Sequence, residues 1–320
     1  MIEQGNSPPD GPPTAGAVDA GQASLLILGD RANLLIVRES FRQARRYQDF
    51  KERLGMSDAV LASRLRDLVD LGVLRTEQYL KRPPRFEYRL TDCGIDFWKT
   101  AIGIWSWERR WGRRTRSPLP ELTHLDGGHQ ATVEFGCGGC STSGVTARDL
   151  IVDVRRAVQA VANAPLRRYR RASWKPAASI DLFSEIDPLL GDRWMVATLA
   201  ATMVGVDRFA DLQRALQISP PLLSKRLAEL VQHDVLERVM VADGGHHHHY
   251  RLLPKGLDLI PILLANFAWA NRWFPADGDT VATIIITHAA CGDELVPAWF
   301  CSQCGKELDR STMTFDISPP

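Results

Sequence analysis

Ser57-Asp58-Ala59-Val60-Leu61-Ala62-Ser63-Arg64-Leu65 decides how the rest of this sequence reads, because it returns 162 residues later as Ser219-Pro220-Pro221-Leu222-Leu223-Ser224-Lys225-Arg226-Leu227. A serine in front of such a run caps a helix by accepting from a free N–H of its first turn. Proline at the first helical position of the second stretch sacrifices no hydrogen bond. Leu61, Leu65 and Leu68 recur at the spacing of one buried helix face. The same offset maps Gly29-Asp30-Arg31 onto Gly191-Asp192-Arg193 and Tyr88-Arg89-Leu90 onto Tyr250-Arg251-Leu252. It also maps Gly94 onto Gly256, Trp107 onto Trp269 and Trp111 onto Trp273. So many matches at one offset establish an internal duplication.

Within each copy the pattern is three helices, two short strands and a long helix. Residues 31–44 carry Leu34, Leu35, Val37 and Phe41 at helical spacing, and Tyr47 to Leu54 forms a second helix closed by Gly55. Ser57 opens a third over 57–71, ended by Gly72 and matched by 219–232. Val73 to Leu80 and Phe86 to Leu90 read as strands around Lys81, Arg82, Pro83, Pro84 and Arg85, a hairpin with a basic tip. The second tip is Asp243-Gly244-Gly245, followed by His246 to His249 and a return strand over Tyr250 to Leu253. The tryptophan-bearing helices cover 94–111 and 256–273.

The expected fold is mainly α with small β wings (α+β): two winged helix-turn-helix domains in tandem, each followed by a small zinc-ribbon-like appendage, the first degenerate. Its parts are a disordered tail (1–22), a first winged domain (23–118), an appendage (119–150), a basic connector (151–179), a second winged domain (180–276) and a second appendage (277–320). A length of 320 residues fits more than one core.

A helix-turn-helix can place its second helix in a major groove about 12 Å wide, with a wing beside it, so double-stranded DNA is the expected partner. The candidate contacts are Ser57, Asp58, Ala59, Ala62, Ser63, Arg64 and Arg66 on the first helix, and Lys81, Arg82 and Arg85 on its wing. In the second copy they are Ser219, Lys225, Arg226, His246 and His247. Overall charge is +1 and decides nothing, but residues 30–111 carry +5 against +1 for 192–273, favouring the first copy as the partner for phosphate. Arg109, Arg110, Arg113, Arg114 and Arg116 extend that charge, as do Arg167, Arg168, Arg170 and Arg171 in the connector. The chain opens without an apolar leader, and its longest apolar stretch is broken by Asp258, Pro261 and Asn266, so the expectation is a soluble cytoplasmic protein without a membrane partner.

Gly-Asp-Arg at the start of the second helix, Ser-x-x-x-Leu-x-x-Arg-Leu, and the Gly72-Val73-Leu74 step into the wing together resemble the HxlR-type winged-helix regulators of bacteria. The resemblance implies a repressor or activator that binds palindromic operators as a dimer through its terminal helices. Family members are typically single modules, so this tandem can form either a homodimer or a pseudo-dimer within one chain. Many members carry a sensing cysteine near the start of the module; Ala23 to Leu28 and Phe183 to Leu190 contain none.

Five of the six cysteines fall in two clusters, a distribution that favours metal or redox chemistry over disulfides. His288, Cys291, Cys301 and Cys304 have the spacing of a structural zinc site. His124, Cys137 and Cys140 repeat it in weaker form, with Gly127 in place of Cys291 and His129 nearby as a substitute ligand. The alternatives are metal-free thiols or a redox pair of Cys301 and Cys304. Consecutive histidines at 246–249 alternate across a hairpin, so a solvent-exposed or phosphate-contacting wing tip is preferred to a metal site there. A zinc deaminase would need glutamate where Ala290 stands, and no phosphate loop or nucleophile elbow is present, so no enzyme is expected. The competing reading is an interaction or ligand-sensing scaffold, with a possible apolar pocket lined by Trp105, Trp107, Trp269 and Trp273.

Overall fold

A computed structural model describes residues 19–112, 119–153, 185–240, 248–275 and 285–316. Most of the expected tail and connector lie outside these, as do Arg113, Arg114, Arg116, Arg167, Arg168, Arg170, Arg171, His246 and His247.

The first module comprises α1 (Ala20–Leu28), α2 (Arg31–Phe41), α3 (Tyr47–Leu54), α4 (Asp58–Asp70), β1 (Leu74–Leu80), β2 (Arg85–Leu90), α5 (Asp92–Asp96) and α6 (Trp98–Trp111). Gly55 closes α3 at φ 61°, a left-handed position that suits glycine. Ser57 caps α4, its hydroxyl accepting from Val60 N. β1 and β2 pair antiparallel as the wing, with Leu74 opposite Leu90. The expected 94–111 helix is divided into α5 and α6, and α1, absent from the three-helix pattern read from spacing, precedes α2. Its N-cap Asp19 accepts from Gln22 N at 2.8 Å, so the tail's last residues belong to a helix. Ala20, Ala23, Ser24, Ile27 and Leu28 are its buried face, an i, i+3, i+4 pattern present in the sequence.

The second module repeats the order. It has α7 (Asp187–Leu190), α8 (Arg193–Met203), α9 (Phe209–Leu216), α10 (Pro220–Gln232), β8 (Leu236–Met240), β9 (His248–Leu252), α11 (Pro254–Leu257) and α12 (Ile260–Trp273). Between the modules and after them come β3 (Leu122–His124), β4 (His129–Gln130), β5 (Val133–Cys137), β6 (Thr142–Ser143) and β7 (Leu150–Val152), then β10 (Ile286–His288), β11 (Pro297–Cys301) and β12 (Met313–Phe315).

The two modules meet around an approximate two-fold axis. Asp30 bridges Asp192, its own counterpart, and Arg31 N donates to Gly191 O at 3.2 Å. The glycines of both Gly-Asp-Arg runs are required by this approach: a Cβ on Gly29 would lie 2.8 Å from Arg193 Cα, and one on Gly191 2.9 Å from Arg31 Cβ. The long helices α6 and α12 pack together with reciprocal bonds. Trp107 Nε1 donates to Lys255 O at 3.1 Å, and its counterpart Trp269 Nε1 to Cys93 O at 2.8 Å. Trp111 Nε1 donates to Asp258 and Trp273 Nε1 to Asp96, both at 2.8 Å. Each donor and acceptor in one module has its equivalent 162 residues away in the other, the signature of an isologous interface. Trp105 Nε1 donates to Pro120 O at 3.0 Å, so the buried indoles of Trp105, Trp107, Trp269 and Trp299 all donate to backbone carbonyls.

The two appendages do not stand apart. β11 pairs β5 antiparallel, with Trp299 opposite Phe135; β12 pairs β3, and β10 pairs β7. Every one of these pairings joins the segment after one module to the segment after the other. Among the described residues no helix is long and apolar enough to cross a membrane.

Candidate nucleic-acid interface and metal centres

α3 and α4 form the helix-turn-helix, and α4 turns its leucines inward: Leu61, Leu65 and Leu68 are fully buried. Ala59 and Arg66 are exposed, with Ala62 and Ser63 half-buried, so the outer surface is narrow and close to the backbone. Ser219, Pro221, Ser224, Lys225 and Ala228 form the matching exposed surface of α10. Lys81, Arg82 and Arg85 are exposed on the first wing.

Two of the expected contacts are corrected. Arg64 and Arg226 are only 8% and 6% exposed and point into the protein. Arg64 pairs with Asp30 at 3.0 Å and Asp67 at 3.1 Å; Arg226 pairs with Asp192 at 2.8 Å and Glu229 at 2.9 Å. The reason is helical spacing: position 64 lies three residues after Leu61 and four before Leu68, on the leucine face. Asp30 and Asp192 cap α2 and α8, so each arginine ties its recognition helix to the helix start nearest the two-fold axis. Asp58 is also engaged within the protein, accepting from Lys51 Nζ at 2.8 Å and Tyr47 Oη at 2.9 Å. These two bonds hold its carboxyl below the usual carboxylate range.

The interleaved appendages bring together eight side chains in two groups. His124 and His129 from the first appendage meet Cys301 and Cys304 from the second; Cys137 and Cys140 from the first meet His288 and Cys291 from the second. Within each group all candidate ligand atoms lie within 4.8 Å of one another. His129 Nε2 is 3.2 Å from Cys301 Sγ, and His124 Nδ1 is 3.4 Å from Cys304 Sγ. His288 Nδ1 is 3.3 Å from Cys140 Sγ and 3.4 Å from Cys291 Sγ. The expected quartet of His288, Cys291, Cys301 and Cys304 is therefore split between two centres, because β11 pairs with β5 and carries its cysteines to the opposite appendage.

The first group, like the second, has four candidate ligands. His129 takes the role that Cys291 has in the other, and its ring lies over Gly127: a Cβ there would sit 2.4 Å from His129 Nδ1. His124 and His288 are buried, at 0% and 1% exposure. The Thr142 hydroxyl is the main influence that draws the Cys140 thiol down to about 6. Cys93 lies outside both groups, and burial pushes its thiol up to about 12.

The family described as HxlR-like helix-turn-helix matches this chain twice, over residues 27–116 and 189–278. The HTH-type transcriptional regulators Mb3122 of Mycobacterium bovis and Rv3095 of Mycobacterium tuberculosis, both described as uncharacterized, are 32% identical over 132 residues, 41% of this chain and 82% of theirs. The HTH-type transcriptional regulator YodB of Bacillus subtilis is 34% identical over 94 residues, 29% of this chain and 83% of its own length.

Proposed function

The chain belongs to the HxlR-like helix-turn-helix family and is a DNA-binding transcriptional regulator, and we propose that it reads an operator as a single-chain pseudo-dimer. The observation that carries this reading is the reciprocal tryptophan bonding of α6 and α12, which relates the two recognition helices as the subunits of a two-fold dimer are related. In this reading α4 enters the major groove with Ala59, Ala62, Ser63 and Arg66, and α10 does so with Ser224 and Lys225. Lys81, Arg82 and Arg85 follow the flanking backbone. The two half-sites then lie about one helical turn apart, roughly 34–36 Å. Because the two exposed faces differ in sequence, the half-sites need not be identical.

The test is enrichment of genomic fragments by the purified full chain across a salt series. One bipartite motif, with affinity falling steeply as salt rises, is the expected result. No enriched motif at any salt would favour the scaffold reading instead.

We also propose that each four-residue group holds zinc. Zinc bonds of about 2.3 Å to sulfur and 2.0 Å to nitrogen at a tetrahedral angle put S and N about 3.5 Å apart. The contacts of 3.2–3.4 Å lie close to that edge length. Four protein ligands with no open position suit a structural ion, one that stabilises the folded state without doing chemistry. Double variants distinguish crossed centres from centres confined to one appendage. Cys140→Ser with Cys291→Ser should abolish one of two bound ions, and Cys291→Ser with Cys301→Ser should damage both. The opposite ordering in metal analysis would refute the crossed arrangement.

A further inference from the structure

Large apolar side chains left exposed are concentrated on the two wings: Tyr79, Leu80 and Phe86 on the first, Val239 and Met240 on the second. The strand register shows why Phe86 is bare. The pairs Leu74 with Leu90, Thr76 with Tyr88 and Gln78 with Phe86 share one face of the hairpin, because side chains two residues apart point the same way. Tyr88 is still covered, its ring edge-on to Phe50 of α3 at 6.2 Å. One pair further out the row has run past the helices, and Phe86 is 53% exposed.

The second wing repeats this at the same rung by other means. There Met240 stands opposite His248, and Met240 is 70% exposed. Met240 is the equivalent of Gln78, and His248 of Phe86. Each wing therefore keeps one large apolar residue on this rung but takes it from the opposite strand, so the place in the fold is what the two copies have in common. Contiguous exposed apolar surface of this kind marks an interaction site.

Charge decides the occupant. The turn beyond Phe86 carries Lys81, Arg82 and Arg85, all exposed, and among the described residues none of the three is in an ion pair. Tyr79 is the extra residue of a bulge, and the Arg46 guanidinium lies 4.9 Å from its ring centre. Arg46 is the N-cap of α3, the first helix of the helix-turn-helix, so the apolar tip continues the surface that faces DNA. A second copy of the chain would bring like charges together at this tip. A duplex offers phosphates to the cations and an apolar stack of bases to Phe86.

We infer that each wing inserts its exposed apolar side chain, Phe86 or Met240, between base pairs in the minor groove outside its half-site and kinks the duplex there. Phenylalanine and methionine are among the side chains that unstack a base step in this way, and the bend lets the DNA wrap more protein surface. The inference rests on the DNA-binding reading above and adds to it a mechanical action, two kinks flanking one operator.

The test uses the full chain and the duplex it enriches most strongly, end-labelled with a donor–acceptor dye pair and carrying 2-aminopurine in turn at the adenines outside each half-site. Binding should bring the ends closer, through kinks on the order of 20–90°, and raise 2-aminopurine fluorescence at one step on each flank. Phe86→Ser changes an exposed position and so should fold normally, weaken binding on the order of tenfold and abolish the rise on one flank only. Met240→Ser should abolish it on the other flank. Lys81→Ala should weaken binding while leaving both rises intact at saturating protein. Straight, fully stacked DNA under the bound wild type, or rises that survive both serine substitutions, would overturn the inference and leave the DNA-binding reading standing. Concentration-dependent self-association in sedimentation that Phe86→Ser removes would assign the tip to a second copy and overturn it as well. No duplex retained at any salt would take down the DNA-binding reading and this inference with it.

Discussion

Glu108 lies on the buried side of α6, where Glu185 N and Ile186 N donate to its carboxyl at 2.9 and 2.7 Å. Burial outweighs those two bonds and raises its pKa to about 7 from 4.5. Between these values the folded state holds a proton that the unfolded state has lost, so this residue's contribution to stability declines as pH rises through about 4.5 to 7. Glu108→Gln removes that titration. Denaturant unfolding of variant and wild type at pH 5, 6 and 8 should show the variant gaining relative stability with pH, by up to about 1.4 kcal/mol per pH unit. A pH-independent difference would place the proton elsewhere. Arg64 and Arg226 make a second prediction at this scale. Each Arg→Ala change leaves a capping aspartate without its buried partner and should cost about 3 kcal/mol in urea unfolding, with similar losses for the two sites. Arg66→Ala should cost little stability, weaken DNA binding and reduce the slope of log affinity against log salt by about 1.

Among elements, α2 shows how a duplicated segment can reach the same packing by different chemistry. Glu39 is fully buried and is met by Arg38 at 2.9 Å, Arg42 at 3.2 Å and Arg53 at 3.4 Å. The corresponding residues of the second module are Ala201, Ala200, Val204 and Ala215, an apolar solution at the same place. Desolvation lowers the pKa of Arg38, and a burial cost of that kind offsets much of the attraction. Glu39→Ala alone should therefore destabilise by about 3–5 kcal/mol, because it strands buried guanidinium charge. Transplanting all four second-module residues should be nearly neutral or stabilising. Thermal unfolding of both variants checks the pair of outcomes, and equal losses would contradict them. The helices of both modules were legible because capping residues, glycines and leucine spacing are local signals. α1 is less legible because its first turn, Ala20-Gly21-Gln22, continues the small, polar composition of the stretch before it, and its regular apolar spacing starts only at Ala23.

For the whole molecule, zinc held in the two crossed groups, as proposed, would tether the halves to each other rather than brace each within itself. A chelator that strips the ions should raise hydrogen exchange across β3, β5, β7, β10, β11 and β12 together, since each of these strands pairs with a strand from the other appendage. The reciprocal contacts of α6 with α12 should keep α4 and α10 protected. Loss of protection confined to one appendage would mean the two segments fold separately.

Caps, leucine spacing and repeat offset were enough by themselves to determine two winged modules, their order and where their third helices run, and to single out the histidines and cysteines that come together. Those are consequences of neighbours within one or two turns of chain, and local physics acts on them wherever the segment ends up. Only the tertiary structure decided which cysteine meets which histidine, that Gly29 and Gly191 face each other's modules, and which aspartates receive Arg64 and Arg226. Each of these depends on backbone segments brought together from distant parts of the chain, and spacing along one segment carries no information about which partner strand will lie beside it.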